Sequence, residues 1–498
     1  MTKTCSADAV GTVYIRADGS IDPPTAPIST LDNVTYTLTG DIINSSIIIE
    51  RDDVSVEGAN HSLQGPGLGS GISLSGRNNV TIKNFEIRNF YRGFNVGNSL
   101  NNSIIRNNIT NNAYGIFLGG SSGNIIIGNS FTNDGLFVYY SYAGRPVNIV
   151  QNNTVNGKPL IYLENVSGYV VADAGQVILV GCSNIHVQNL NTCNTTVGVE
   201  LWQTSNSEVV NNSITSNNQY GICLLQSSNN NDVSANNIAS SNVGINLRDS
   251  SSNNRISANS ISNSTQQGIL FVSFSSNNNV TGNRITASGD YGIYLANSYV
   301  ANVSENSVTG NIKGGIFLTV SHDNNLFGNN LTSNNVGISM EDSCRYNTIS
   351  ENNVANNGIG VNLRSSSSNS IIANNVTDSN YGISLSESSD NRIYHNNFVN
   401  NTNQVYDHSW NSTGYAQSVN TWDNGSQGNY WSDYNGTDNN QDGIGDTPYI
   451  IDANNTDHYP LMLQYVIPEF PTFLVVPLFM IATLLAIIVY KRRHLTGA

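Results

Sequence analysis

The residues best suited to chemistry lie near the C-terminal end of the chain. Asp438, Asn440 and Asp442 alternate and are followed by Gly443, the Asp-x-Asn-x-Asp-Gly half of a calcium loop. In such a loop alternate oxygen side chains converge on one hard cation, and the glycine permits the sharp turn. The carbonyl of Ile444 and the side chain of Asp446 fall at the next two ligand positions. Tyr449 stands where a bidentate glutamate would complete a full loop, so the expected cofactor is a structural Ca2+ with the weak affinity of extracellular modules.

Acid–base chemistry has thinner material. Asp249, Asp290, His322-Asp323, Glu341-Asp342-Arg345 and Asp407-His408 are isolated from one another, and the chain has only five Lys. An enzyme acting on polysaccharide sets carboxylates beside Lys, Arg or His on one face. Only stacking at a fixed period could assemble that here, for example Asp323 beside Arg345, and no catalytic residue is assigned. The seven His are scattered singly and there are four Met, a poor supply of the clustered soft or imidazole ligands that copper wants. A net charge of −15 argues against nucleic acid as a partner, because phosphate binding needs a basic surface.

What positions these residues is a repeat. Gly93, Gly115, Gly198, Gly221, Gly244, Gly268, Gly292, Gly315, Gly337, Gly360 and Gly382 each precede a branched apolar residue or Phe, at steps of 22 to 24 residues apart from one gap of 83. Self-similarity at such a period marks a solenoid. Each repeat holds three short apolar segments bounded by Asn, Ser or Gly, too short for helices. A coil of three strands and no helix is a parallel β-helix. Residues 40–400 should form a rod of roughly sixteen coils, about 75 Å long at about 4.8 Å per coil. Asn suits left-handed corners, and stacked Asn side chains can bond in ladders. Ile245 and Leu247 should point inward and Asn246 to solvent.

The remaining segments follow from composition. Residues 1–39 form an N-terminal segment and cap, 401–465 an aromatic C-terminal cap, and 466–472 a linker. Phe473 to Tyr490 is uncharged and apolar, long enough for a membrane helix, and Lys491-Arg492-Arg493-His494 follows. The positive-inside rule keeps the tail 491–498 cytoplasmic and the bulk of the chain extracellular. Met1 to Ala9 has no apolar stretch of the signal-peptide kind, which conflicts with export and points to a mis-assigned start or a fragment. The five Cys show no zinc-type spacing and read as free thiols. Sequons such as Asn79, Asn165, Asn194, Asn279, Asn302, Asn330, Asn375, Asn411, Asn424 and Asn435 make the chain a candidate glycoprotein.

Two resemblances add to this. Pro468-Glu469-Phe470-Pro471 before the apolar helix and basic tail resembles the Pro-Glu-Phe class of archaeal C-terminal sorting signals, which implies anchoring at the outer face of the membrane with processing of the tail. Gly428-Asn429-Tyr430-Trp431-Ser432-Asp433-Tyr434, Asp457-His458-Tyr459-Pro460-Leu461, the Asp-rich run and Asn156-Gly157-Lys158-Pro159-Leu160 resemble the NosD-like family. That resemblance implies an exported right-handed β-helix of the pectin-lyase type and, for the founding members, help in copper-enzyme maturation. The expectation is a membrane-anchored, all-β right-handed parallel β-helix at the cell surface that binds envelope glycans or neighbouring surface proteins. A polysaccharide lyase, hydrolase or epimerase is the alternative, and a copper-enzyme accessory the third reading.

Overall fold

A computed structural model describes residues 11–139, 147–412 and 414–467. The expected membrane helix 473–490 and basic tail lie outside the described residues. Among those described, every regular element is a strand, and no helix is long and apolar enough to cross a membrane.

The three apolar segments of each repeat become three strands of one coil, as in Asp232–Ser234, Asn237–Ala239 and the glycine-bearing Val243–Leu247. Successive coils pair parallel and without slip. Val233 sits on Ile256 and Val280, Ile238 on Ile261 and Ile285, and Ile245 on Ile269 and Ile293. Alternation along each strand turns these β-branched side chains inward, where all are fully buried. The repeated glycine has a steric cause. A Cβ on Gly292 would stand 2.3 Å from Val308 Cγ1 and 2.9 Å from the Gly315 carbonyl oxygen, so the glycine lets one coil lie on the next.

Asparagine does two separate jobs, in adjacent positions. The first residue of a pair turns the corner with left-handed backbone, as at Asn211 (φ 56°) and Asn253 (φ 58°). The second points inward and joins a buried ladder. In the longest ladder, Asn212, Asn236, Asn259, Asn283, Asn306, Asn329, Asn352, Asn374, Asn396 and Asn429 each lie on the next coil. Each Oδ1 accepts the backbone N–H and side-chain amide of the Asn before it, while each Nδ2 also donates to a carbonyl of the preceding coil, as Asn329 does to Val303 at 2.8 Å. Several ladders end in a carboxylate, Asp134 and Asp457 being the two whose acidity burial shifts. Asp134 accepts both nitrogens of Asn112, and Asp457 accepts the N–H of Asn429. Burial pushes the Asp134 carboxyl up to about 7 and that of Asp457 up to about 6, because an uncompensated charge is costly there.

The expected single rod is two stacks. The first begins within the segment read as a cap: Gly11–Ile15 already pairs parallel with Ser45–Ile49. It carries two seven-stranded faces and a third face that ends at Thr154–Val155. There a hairpin turning on Asn156 (φ 50°) and Gly157 (φ 80°) pairs Val155 with Lys158 antiparallel and starts the second stack, as left-handed Asn-Gly turns do. This hairpin accounts for the gap between Gly115 and Gly198. The second stack has two eleven-stranded faces beside its glycine-bearing one and runs on the order of 50 Å at the usual inter-strand spacing.

The first stack ends against the flank of the second. The last strand of its glycine-bearing face, Leu136–Tyr139, is paired there by side chains in place of a further coil. Gln176 exchanges two hydrogen bonds with the Leu136 backbone (3.0 and 2.7 Å), and the Glu200 carboxylate accepts the Val138 N–H at 3.2 Å. Burial holds the Glu200 carboxyl well above the usual carboxylate range. The outward positions Ile178, Glu200, Cys223 and Asn246 are therefore all buried, which corrects the expectation for Asn246: its strand faces outward, but onto the other stack.

At the far end of the second stack the aromatic segment caps the core. Trp431 stacks between Phe398 (4.6 Å) and Tyr449 (4.4 Å) and donates its ring N–H to Asp457 at 2.9 Å. Trp422 lies fully buried beside it.

Candidate functional site

The Asp-rich loop is folded onto its own backbone. Asp438 accepts the N–H groups of Asp442 (3.2 Å) and Gly443 (2.9 Å), Asp442 accepts that of Ile444 (2.9 Å), and the Asn440 amide reaches the second Asp442 oxygen at 2.9 Å. Gly443 has φ 83°, the conformation the turn asks of a glycine. Asp438, Asn440 and Asp442 thus share one turn. The Asp446 carboxylate points instead to Asn439 and Thr437, and Ile444 pairs with Leu461. Among the described residues no group of three or more His, Cys, Asp or Glu is placed to hold a metal ion.

The carboxylates considered for catalysis are each paired locally. Asp249 meets Arg248 (3.2 Å), Asp290 meets Lys313 (3.0 Å), Glu341 meets Arg364 (3.4 Å), and Asp407 accepts from Ser409 (2.6 Å). The anticipated meeting of Asp323 with Arg345 is one of backbone only, the Asp323 N–H donating to the Arg345 carbonyl at 3.3 Å, and the register partner of Arg345 is displaced by one position. His322 bridges Arg345 on the next coil, and the Asp323 carboxylate turns to His322 Nδ1 at 3.1 Å.

This displacement leads to the most unusual surface of the molecule. At the corner leaving the glycine-bearing strand, each coil presents an outward residue followed by a left-handed one, linked coil to coil by backbone hydrogen bonds. In flanking coils the pairs are Asn229-Asn230, Ser252-Asn253, Ser276-Asn277, Ser367-Ser368 and Ser389-Asp390. In three central coils they are Tyr299-Val300, His322-Asp323 and Arg345-Tyr346. Val300 (φ 57°), Val320 (φ 49°) and Tyr346 (φ 57°) hold left-handed backbone, which costs a branched or bulky residue about 1–2 kcal/mol. They remain 55%, 41% and 61% exposed, so core burial does not offset that cost. Phe274, 59% exposed and also left-handed, begins a ring series that runs to Tyr299 (6.2 Å) and on to His322, stacked at 4.0 Å.

The ridge opens into a shallow groove. Tyr346, Ser368, Asn369, Ser370, Asp390 and Arg392 line about 430 Å³, continuous through Tyr346 and Ser368 with about 270 Å³ along Ser343, Arg345, Ser365 and Ser367. An exposed ring, hydroxyls, a carboxylate and two guanidiniums in an open trough provide stacking and directional hydrogen bonds for a flexible polar chain. His322, Asp323 and Arg345 were legible as chemical residues in the sequence; Phe274, Tyr299, Val300, Val320 and Tyr346 were not. Their signal is a departure from Asn and Ser at a repeated corner, visible once the coils are aligned to each other.

The left-handed Asn corners, the buried Asn ladders, the steric glycines and the three-strand coils define a right-handed parallel β-helix, and the chain belongs to that family: the model of the right handed beta helix region matches residues 45–174 and 175–332. Residues 264–436 match the model of the periplasmic copper-binding protein NosD, so that part of the chain, which includes the ridge and groove, is NosD-like. No curated protein matches the chain. Similar solved structures include the periplasmic alginate epimerase AlgG (14% identity, 73% of this chain and 83% of that one, TM-score 0.29). The A-module of the Azotobacter vinelandii mannuronan C-5 epimerase AlgE4 is similar at 11% identity, 76% and 91% coverage and TM-score 0.32. PfbA, a surface adhesin of Streptococcus pneumoniae, is similar at 13% identity, 63% and 82% coverage and TM-score 0.26.

Proposed function

We propose that this protein is a cell-surface β-helix that binds polysaccharide of the envelope, or glycans on neighbouring surface proteins, along the ridge and groove from Phe274 to Arg392, without chemistry on the ligand. The observation that carries this reading is the exposure of Val300 and Tyr346 at a left-handed corner where the flanking coils use Ser, Asn or Asp. The membrane anchor belongs to the proposal through the apolar sequence 473–490 and its basic flank. A carbohydrate-active enzyme is the second reading, supported by Tyr294, Phe317, Glu341 and Arg364 on the open part of the glycine-bearing face, where Glu341 also accepts from Ser339 at 3.1 Å.

The sibling coils supply the test. Val300→Asn with Tyr346→Ser installs the residues the fold uses elsewhere, so stability should rise by about 1 kcal/mol or more as strain is relieved. Retention on a panel of immobilised polysaccharides should fall about tenfold. Unchanged retention would remove the ridge from the reading, and new reducing or unsaturated ends in the eluate would favour the enzyme.

We also propose that Asp438, Asn440 and Asp442, with the Ile444 carbonyl and a reoriented Asp446, hold Ca2+ as a staple of the C-terminal cap. Three of these side chains already share one turn. Chelation should then lower the melting temperature of the full-length protein, and Asp442→Ala should abolish the difference; superimposable melting curves with and without chelator would count against calcium.

A further inference from the structure

The re-entrant angle where the two stacks meet carries a second cluster that the corner reading does not use. Outward residues of the first stack, Tyr91, Arg92, Tyr114, Phe117 and Phe137, face Tyr220 of the second, with Phe137 and Tyr220 at 6.0 Å. Arg92 lies over the Phe117 ring at 4.0 Å and within 6.0 Å of the rings of Tyr91 and Tyr114. Arg92 makes no ion pair with a described residue, and 140–146 contains no Asp or Glu. Among the described residues its guanidinium donates one hydrogen bond, to Asn95 Oδ1 at 3.3 Å, and its Nε is buried with no acceptor. Arg51 also has a buried Nε without a partner; what sets Arg92 apart among the described residues is a guanidinium that lies within 6.0 Å of three aromatic rings and has no carboxylate beside it. Arg248, over the Tyr139 ring, is by contrast paired with Asp249.

A guanidinium braced on a ring is pre-organised to take a planar oxyanion through its fork. Tyr91 is 44% exposed beside it and offers the apolar body and polar tip on which a sugar ring can rest. We infer that the inner angle between the stacks is a binding site for an anionic sugar, with Arg92 holding the carboxylate or sulfate and Tyr91 the ring. The site is independent of the ridge, which lies in other coils.

The test titrates the full-length protein with an oligogalacturonate, with its neutral methyl ester, with a sulfated oligosaccharide and with acetate. Saturable binding of one charged oligosaccharide, with the ester and acetate at least tenfold weaker, is the expected result, and which charged arm binds tells carboxylate from sulfate. Arg92→Gln should weaken that binding about tenfold or more, the worth of a charge-assisted hydrogen bond. Tyr91→Ala, at an exposed position, should weaken it without changing the melting temperature, which keeps the site testable if Arg92→Gln unfolds. Equal binding of ester and acid, binding of acetate as tight as of the oligomer, or indifference to both substitutions would overturn the site. The Val300→Asn/Tyr346→Ser variant should bind the charged probe normally, so failure of either site is read separately.

Discussion

Asn329→Ala should be among the most damaging single substitutions in the chain, costing about 3–6 kcal/mol, while Asn330→Ala, one residue away, should cost less than about 1 kcal/mol. Asn329 is 1% exposed and makes four ladder bonds besides its own backbone partner. Its Oδ1 accepts the N–H (3.0 Å) and amide (3.0 Å) of Asn306, and its amide donates to Val303 (2.8 Å) and Asn352 (2.9 Å). Alanine leaves the Asn306 N–H buried without its acceptor, removes one of the bonds made by the Asn306 amide, the Val303 carbonyl and Asn352 Oδ1, and opens a hole in the middle of the ladder. Asn330 is exposed, and among these contacts its side chain only accepts from Asn353 at 2.8 Å. Urea melts of the two variants beside the parent check the contrast; equal midpoints would show that the ladder is incidental to stability. A solenoid is close to a one-dimensional sum of coil and interface terms, so proteolysis of Asn329→Ala should cut first near that coil.

Trp431→Ala should be comparably severe, at about 3–5 kcal/mol, and should change solution behaviour too. Trp431 is 1% exposed, its ring is held between Phe398 and Tyr449, and its N–H satisfies Asp457. Without it Phe398, the residue beneath it in the buried column, faces a void, and Asp457 loses one of the donors that steady its carboxylate. The open end of a stack is also a row of unpaired strands, a template for end-to-end association. Calorimetry and size-exclusion chromatography should therefore report a lowered melting temperature together with concentration-dependent oligomers. A monomeric variant with an unshifted melt would mean that the loop carrying Trp422, and not Trp431, closes the stack.

Much of the architecture could be read directly from the residues. The glycine period gave the coil, the Ile and Val between Asn and Ser gave the strands, and the paired asparagines gave corners and ladders. What escaped was the division into two stacks, although Asn156-Gly157 is a hairpin signal and the 83-residue gap surrounds it. Period analysis treats a gap as noise, and nothing local reveals that Gln176 and Glu200 pair with a strand forty and sixty-two residues earlier. The buried state of Asn246 escaped for the same reason, since alternation says which way a side chain points but not what waits there. At the candidate ridge the charged residues could be seen and the strained ones could not, because φ is invisible in the sequence until one corner is compared with its siblings.

The carboxylates of Asp134 and Asp457 at ladder ends can be read as punctuation. An amide in the column both receives from the coil before and hands on to the coil after, whereas an aspartate receives and has nothing to hand on. Asp134 and Asp457 therefore act as stop symbols, and the length of those arrays is written in the choice between two nearly isosteric side chains. Whole coils between an open amide and its stop can be inserted or deleted without rewriting either end, so this molecule can be lengthened or shortened in steps of one turn.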